Sequence, residues 1–295
     1  MALNIQTFKT RALTALLFVV VMLTGLLWNF WSFLILFTVI HFGCWFEYLK
    51  LVEKIYATKI DIVIKWFFAI CGFTLMLVLG IQNRSFDIGK EIAGYQISFK
   101  IVFWLLLFVC LLIFLFQNKV IPTKAKWMSF AGLFYISLSF TALINLYPSR
   151  DINISDTYLV LGNGHIPILI IVSIWINDTM AYMVGSFIGK TPLSKISPKK
   201  TWEGTIGGII LCITVAGLVS HFTFFSWPVN VVVMVLAAIC AIFGTLGDLL
   251  ESKLKRMADV KDSGSFMPGH GGFLDRFDSL LIAVPFVWLY VQLFV

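Results

Sequence analysis

"ALTALLFVVVMLTGLLWNFWSFLILFTVIHFGCWFEYLKLV", residues 12–52, contains no Asp, Glu, Lys or Arg before Glu47. About 20 apolar residues cross roughly 30 Å of hydrocarbon as a helix, so this run is too long for one crossing. Splitting it near Trp28-Asn29 gives two spans joined by a tight hairpin. Left unsplit, the chain has eight spans and both termini on one side; split, it has about nine and the termini lie on opposite sides.

The rest of the chain carries the same signal. It is 295 residues long, 60% hydrophobic and only 13% charged, with a mean hydropathy of +0.95, outside the range of soluble domains. Unpaired backbone groups are costly in lipid, and the apolar runs lack the alternation of barrel strands, so an all-α integral membrane protein is expected. The expected spans are 12–28, 31–49, 62–82, 100–117, 127–147, 166–188, 205–226, 229–250 and 274–294.

Charge favours the split. With nine alternating spans, all of the 22 basic residues except Arg84, Lys90, Lys100 and Arg150 fall on one side. That asymmetry makes this side cytoplasmic, with the amino terminus inside and the carboxyl terminus outside. The net charge of +7 then reflects topology and anionic head groups rather than nucleic acid, for which no module is present. Cys44, Cys71, Cys110, Cys212 and Cys240 lie singly in five spans and read as small packing residues. The basic-then-apolar start has no clear cleavage site and is taken as a retained first span.

Ionisable residues divide the chain in two. Residues 1–165 are apolar helix and short loops, whose Lys side chains flank the spans and read as a scaffold. The outer loop at 148–165 is polar and carries no recognisable constellation. Residues 166–295 place Asp178 inside an apolar span and carry two polar inner loops, 189–204 and 251–273. An ionisable residue within a span is expensive and faces a cavity or a partner, so function is expected in this half.

In "GDLLESKLKR", Gly247–Arg256, helix continuing beyond the membrane would put Asp248, Glu251, Ser252 and Lys255 on one face. A solvated helix end with internal ion pairs would look the same. Asp275 and Asp278 stand three apart at the start of the last span, with Arg276 between them. A helix start favours carboxylates without any function, but two carboxylate pairs bordering one loop also suit a hard divalent cation. The loop between them offers Lys255, Arg256, Lys261 and His270 with Gly264, Gly269, Gly271 and Gly272. Cations and bare backbone beside acids describe a site that handles phosphate.

The first inner loop, "GKTPLSKISPKKTWEGTIGG", Gly189–Gly208, adds Lys190, Lys195, Lys199 and Lys200 with Ser197 and Thr201. "GSFIGKT", Gly185–Thr191, has three residues between its glycines where a P-loop needs four, and follows a span rather than a strand, so it is not one.

"SKLKRMADVKDSGSFMPGHGGFLDRFD", Ser252–Asp278, resembles the signature of the phosphatidate cytidylyltransferases, or CDP-diacylglycerol synthases. The matching positions are Ser252, Lys255-Arg256, Lys261-Asp262, Gly264, Pro268, His270-Gly271-Gly272, Asp275-Arg276 and Asp278, with Met267 where Leu or Ile is expected. "SPKKTWEG" and "NDTMAYMVG" extend the resemblance; before residue 160 it amounts to hydropathy and "EYLKL" near Glu47.

The resemblance implies a magnesium-dependent enzyme of the cell membrane that joins CTP to phosphatidic acid, releasing pyrophosphate. It also implies a homodimer with a cytoplasmic cavity open to lipid and water. Asp248, Glu251, Asp275, Asp278 and Asp178 are then candidates to hold magnesium, with enough carboxylates for a second cation. Lys255, Arg256, Lys261, Asp262, His270 and Arg276 are the catalytic candidates. Ser197, Lys199, Lys200, Thr201, Ser252, Gly271 and Gly272 are the candidates for contacting CTP or the lipid phosphate. A different membrane transferase or kinase using CTP is the nearest rival. A transporter would need charge lining both halves of the membrane, whereas here it gathers on one side.

Overall fold

The computed structural model describes residues 5–81, 121–148, 150–154, 157–224, 226–266 and 271–295. The first long apolar run does break at Trp28-Asn29: α1 (Ile5–Leu27) ends there and α2 (Phe30–Ile55) begins. The break is a capping box, in which Asn29 Oδ1 accepts from Ser32 N (2.9 Å) and Ser32 Oγ accepts from Asn29 N (3.1 Å). Each side chain satisfies a backbone donor that the end of a helix leaves orphaned, so a polar pair restarts the helix in the middle of apolar sequence.

Next come α3 (Ile62–Gly80) and a rod made of α4 (Thr123–Gly132), a π-helical turn (Leu133–Ser137) and α5 (Leu138–Asn145). The carboxyl-terminal half comprises α6 (His165–Ile188), α7 (Trp202–Phe224), α8 (Trp227–Met257) and α9 (Leu274–Phe294). Among the described residues seven helices are long and apolar enough to cross a membrane, and the described apolar part of α1, Leu16–Leu27, is shorter. The chain is an integral membrane protein whose spans are helical. The expected span at 100–117 lies outside the described residues.

Segment 148–165, read from the sequence as a polar loop, contains an antiparallel hairpin of β1 (Arg150–Ile154) and β2 (Thr157–Leu161), with Ile152 opposite Leu159. "RDINI" and "TYLVL" are short runs in which β-formers recur, a signal easily lost beside long apolar helices.

Helix α2 runs through the core, where Phe33, Phe37, Trp45 and Leu49 are fully buried beside Phe140 and Leu143 of α5. Phe33 packs on Tyr147 at 4.6 Å and Trp45 stacks on Phe68 at 5.7 Å, so aromatic area joins α2, α3 and α5. A smaller cluster of Cys212, Ala216, Val229, Val233, Ala237 and Ala241 seals α7 to α8. Cys44, Cys212 and Cys240 are buried free thiols, as expected of packing residues; Cys110 lies outside the described residues. Large apolar side chains remain exposed on the spans, among them Ile35, Ile70, Phe134 and Phe222, as helices facing hydrocarbon require.

Two features of α8 position the polar site. Its 31 residues rise about 1.5 Å each, well beyond the hydrocarbon thickness, so its last turns extend past the membrane. At Gly247 it presses against α9 so closely that a Cβ would strike the Asp278 carbonyl and the Ser279 Cα. A backbone without a side chain therefore brings the acidic end of α8 beside the acidic start of α9.

Candidate active site

The loop at 189–204 docks on the end of α8 that leads into the second polar loop. This first loop closes on itself: Leu193 N donates to Lys200 O (2.7 Å), Trp202 N to Thr191 O (2.9 Å), and the Glu203 carboxylate accepts from the amides of Lys190 and Thr191. Thr201 Oγ1 accepts from Gly204 N (3.1 Å), so this substrate-binding candidate caps the first turn of α7. The folded loop delivers Lys200 to Asp248 of α8, where the two form an ion pair. Ser197 is half-buried and Lys199 exposed beside it.

Because α8 continues to Met257, its four polar residues share a face as the spacing predicts. Ser252 Oγ donates to Asp248 Oδ1 (3.2 Å), and Lys255 pairs with Glu251 one turn before it. Lys255 also reaches across to Asp275 Oδ1 on α9 (2.7 Å). Glu251 is fully buried and Asp275 nearly so, leaving this one ammonium between two carboxylates.

Asp275 is further held by the amides of Ser263 (2.9 Å) and Gly272 (2.8 Å) and by Ser263 Oγ (2.9 Å). Gly271, at φ +84°, lies so close to this carboxylate that an added Cβ would meet it. Of the glycines expected to cradle an anion, Gly271 and the Gly272 amide thus face Asp275 in this structure, and Gly269 lies outside the described residues.

Asp178, Asp248 and Asp278 make up a second acidic group. Asp278 interacts electrostatically with Asp248, Lys255 and Asp178, and Asp178 with Lys200 and Asp248. The five metal candidates therefore divide by partner. Glu251 and Asp275 share Lys255, which also acts on Asp278, whereas Asp248 pairs with Lys200, which also acts on Asp178. Among the described residues no three His, Cys, Asp or Glu side chains form a ready ligand cage. Magnesium rarely uses one; it takes one or two carboxylates and completes its shell with water and substrate phosphate. The all-oxygen set of Asp248 and Asp278, with Asp178 beside it, fits that chemistry.

The remaining candidates lie at the edges. Arg256, Lys261 and Asp262 are exposed, with Arg256 Nη1 3.5 Å from Val260 O; His270 lies outside the described residues. Arg276 lines a mostly apolar cavity of about 120 Å³ with Met22, Leu36 and Phe273.

One residue at the site was not singled out from the sequence. Glu47 of α2 accepts from Ser263 Oγ (3.0 Å) and from Leu274 N (2.8 Å), the first amide of α9. The available signal was the one that marked Asp178, an ionisable side chain inside an expected span.

A sequence profile described as the cytidylyltransferase family matches residues 9–294. The chain belongs to that family of membrane proteins. It is 45% identical over 124 residues to the phosphatidate cytidylyltransferase of Bacillus subtilis, covering 42% of this chain and 46% of that protein. Against phosphatidate cytidylyltransferase 4, chloroplastic, of Arabidopsis thaliana it is 47% identical over 116 residues, 39% of this chain and 29% of the relative. The Synechocystis phosphatidate cytidylyltransferase is 43% identical over 129 residues, 43% of each chain. The matched stretch spans less than half the length of each of these relatives.

Proposed function

We propose that this chain is a phosphatidate cytidylyltransferase, condensing CTP with phosphatidic acid to give CDP-diacylglycerol and pyrophosphate. The observation that carries the reading is the Lys200–Asp248 pair, which joins the first polar loop to the face of α8 that bears Glu251, Ser252 and Lys255. The names of the similar proteins supply the substrate class.

In this reaction a phosphatidate oxygen attacks the α-phosphorus of CTP. One P–O bond forms, the α–β bridging bond breaks, and the electron pair leaves with pyrophosphate. No protein nucleophile is required, so catalysis is positioning and charge neutralisation. Asp248 and Asp278, with Asp178, would hold magnesium, which when bound offsets charge on the triphosphate. Lys200 and Lys199 would take phosphate charge from the loop side, and Lys255 would keep the Asp275 end of the site in register.

Lys200→Ala tests the docking of the first polar loop on α8. The pair is about one-third exposed, so stability should change by less than about 1 kcal/mol. Loss of a charge-assisted contact to phosphate should lower kcat/KM for CTP by about 10- to 100-fold. Thermal unfolding in detergent and radiolabelled CDP-lipid formation measure the two effects. Unaltered turnover would remove Lys200 from the site.

The full topology has nine spans, a cytoplasmic amino terminus and an active site on the cytoplasmic side, as the basic loops indicate. Single cysteines at Ser197 and Thr157, at opposite ends of α6, should react with an impermeant maleimide from the inside and the outside respectively. The reverse pattern would invert the assignment. A homodimer completes the proposal, and crosslinking in native membranes tests it.

A further inference from the structure

We infer that Glu47 is a positioning residue that latches the loop after α8 and the start of α9 onto the amino-terminal half, holding Asp275 and Lys255 in register. The inference rests on the cytidylyltransferase reading for its effect on turnover, although the latch itself is geometric.

Three observations converge on this carboxylate. Its Oε2 accepts from Ser263 Oγ (3.0 Å) in the loop and from Leu274 N (2.8 Å) in the first turn of α9. An anion at a helix start also gains from the helix dipole, so Glu47 caps α9 from another helix. Ser263 Oγ is at the same time 2.9 Å from Asp275 Oδ2, and its amide donates to that atom. Glu47, Ser263, Asp275, Lys255 and Glu251 therefore form one continuous polar chain from α2 through α9 to α8.

The backbone around the latch is shaped to it. A Cβ on Gly264 or on Gly272 would collide with the Glu47 carboxylate, so glycine at both positions lets the loop close over it. The amino-terminal helices thereby reach the site through a charged group as well as through packing. Neither phosphate nor metal need touch Glu47; displacement of the loop would carry Asp275, and with it Lys255, out of place.

The experiment compares Glu47→Ala, Glu47→Gln and Ser263→Ala with the parent, using full-length protein in detergent. Hydrogen exchange is read in peptides covering 258–280, and kcat and KM are measured with CTP and phosphatidate. Glu47→Ala should speed exchange at the loop and the first turn of α9 by about tenfold or more while α3 and α7 stay protected. It should lower kcat by a similar factor with KM for CTP within about threefold, as expected when a positioning contact is lost without a substrate contact. Glu47→Gln keeps an acceptor oxygen and should recover part of both effects. Glu47→Ala with Ser263→Ala should cost less than the sum of the two single changes, because they share the Glu47–Ser263 contact, while Ser263 also holds Asp275 and Glu47 also holds the Leu274 amide.

Unchanged exchange at 258–280, or exchange raised throughout the protein, would overturn the latch. So would a parent-like kcat in Glu47→Ala. If the parent made no CDP-lipid, the cytidylyltransferase reading would fail, and the exchange data alone would still decide whether the latch exists.

Discussion

Asp278→Asn should abolish most CDP-lipid formation while leaving the protein at least as stable as the parent. Asp178 within α6, Asp248 in α8 and Asp278 in the first turns of α9 interact with one another, with Lys200 on Asp248 and Lys255 within electrostatic reach of Asp278. Three carboxylates repel when no divalent cation is bound, so neutralising one relieves repulsion. The local fold should survive, because Asn can keep the bond that Asp278 Oδ1 accepts from Ser279 N (2.6 Å). Turnover should fall by about 10²- to 10³-fold or more, the scale found when one preorganised electrostatic group is removed from an active site. Pyrophosphate release and radiolabelled CDP-lipid measure activity, and thermal unfolding in detergent, with and without magnesium, measures stability. Magnesium should raise the melting temperature of the parent more than that of the variant, since only a ligand that binds the folded state stabilises it. A variant that unfolds early would assign Asp278 a structural role, and one that turns over normally would take it out of the metal site.

The parts of this site that could be read from the sequence are those fixed within one helix. The i, i+3, i+4, i+7 spacing of Asp248, Glu251, Ser252 and Lys255 needed only that α8 continue, and it continues to Met257. The break at Trp28-Asn29 was legible because a polar residue able to cap a helix interrupts an apolar run. Hydropathy is a local property, and it marked the described spans for the same reason. Partners chosen by tertiary packing left no such trace. Lys200 meets Asp248 from 48 residues away, and Glu47 meets Ser263 from 216 residues away, neither at a helical spacing. Nor does composition reveal that the amides of Ser263 and Gly272 turn inward to Asp275 rather than outward to an anion. The π-helical turn at Leu133–Ser137 is of the same kind: Ser137 there bonds Trp45 Nε1 (2.9 Å), a contact that exists only once α2 packs on the rod.

Lys255→Met should be the most destabilising substitution at the site, and a second change should separate its structural from its catalytic effect. Lys255 is the cation shared by Glu251, whose side chain is fully buried, and Asp275, 8% exposed. Removing one partner from a buried ion pair leaves uncompensated charge and costs about 3–5 kcal/mol, whereas replacing the pair by neutral groups of similar volume costs far less. Lys255→Met alone should therefore unfold well below the parent in detergent or fail to accumulate. Lys255→Met with Glu251→Gln removes the buried negative charge and should restore much of the lost stability. Activity should not return with it, since Asp275 would still lack the ammonium that holds it at 2.7 Å and the site would lack a cation beside Asp278. Thermal unfolding and CDP-lipid formation, measured on the parent, the single variant and the double variant, give the two readouts. If the double variant recovered both, Lys255 would serve only to neutralise Glu251; if it recovered neither, Lys255 would brace α8 against α9 through Asp275 independently of Glu251.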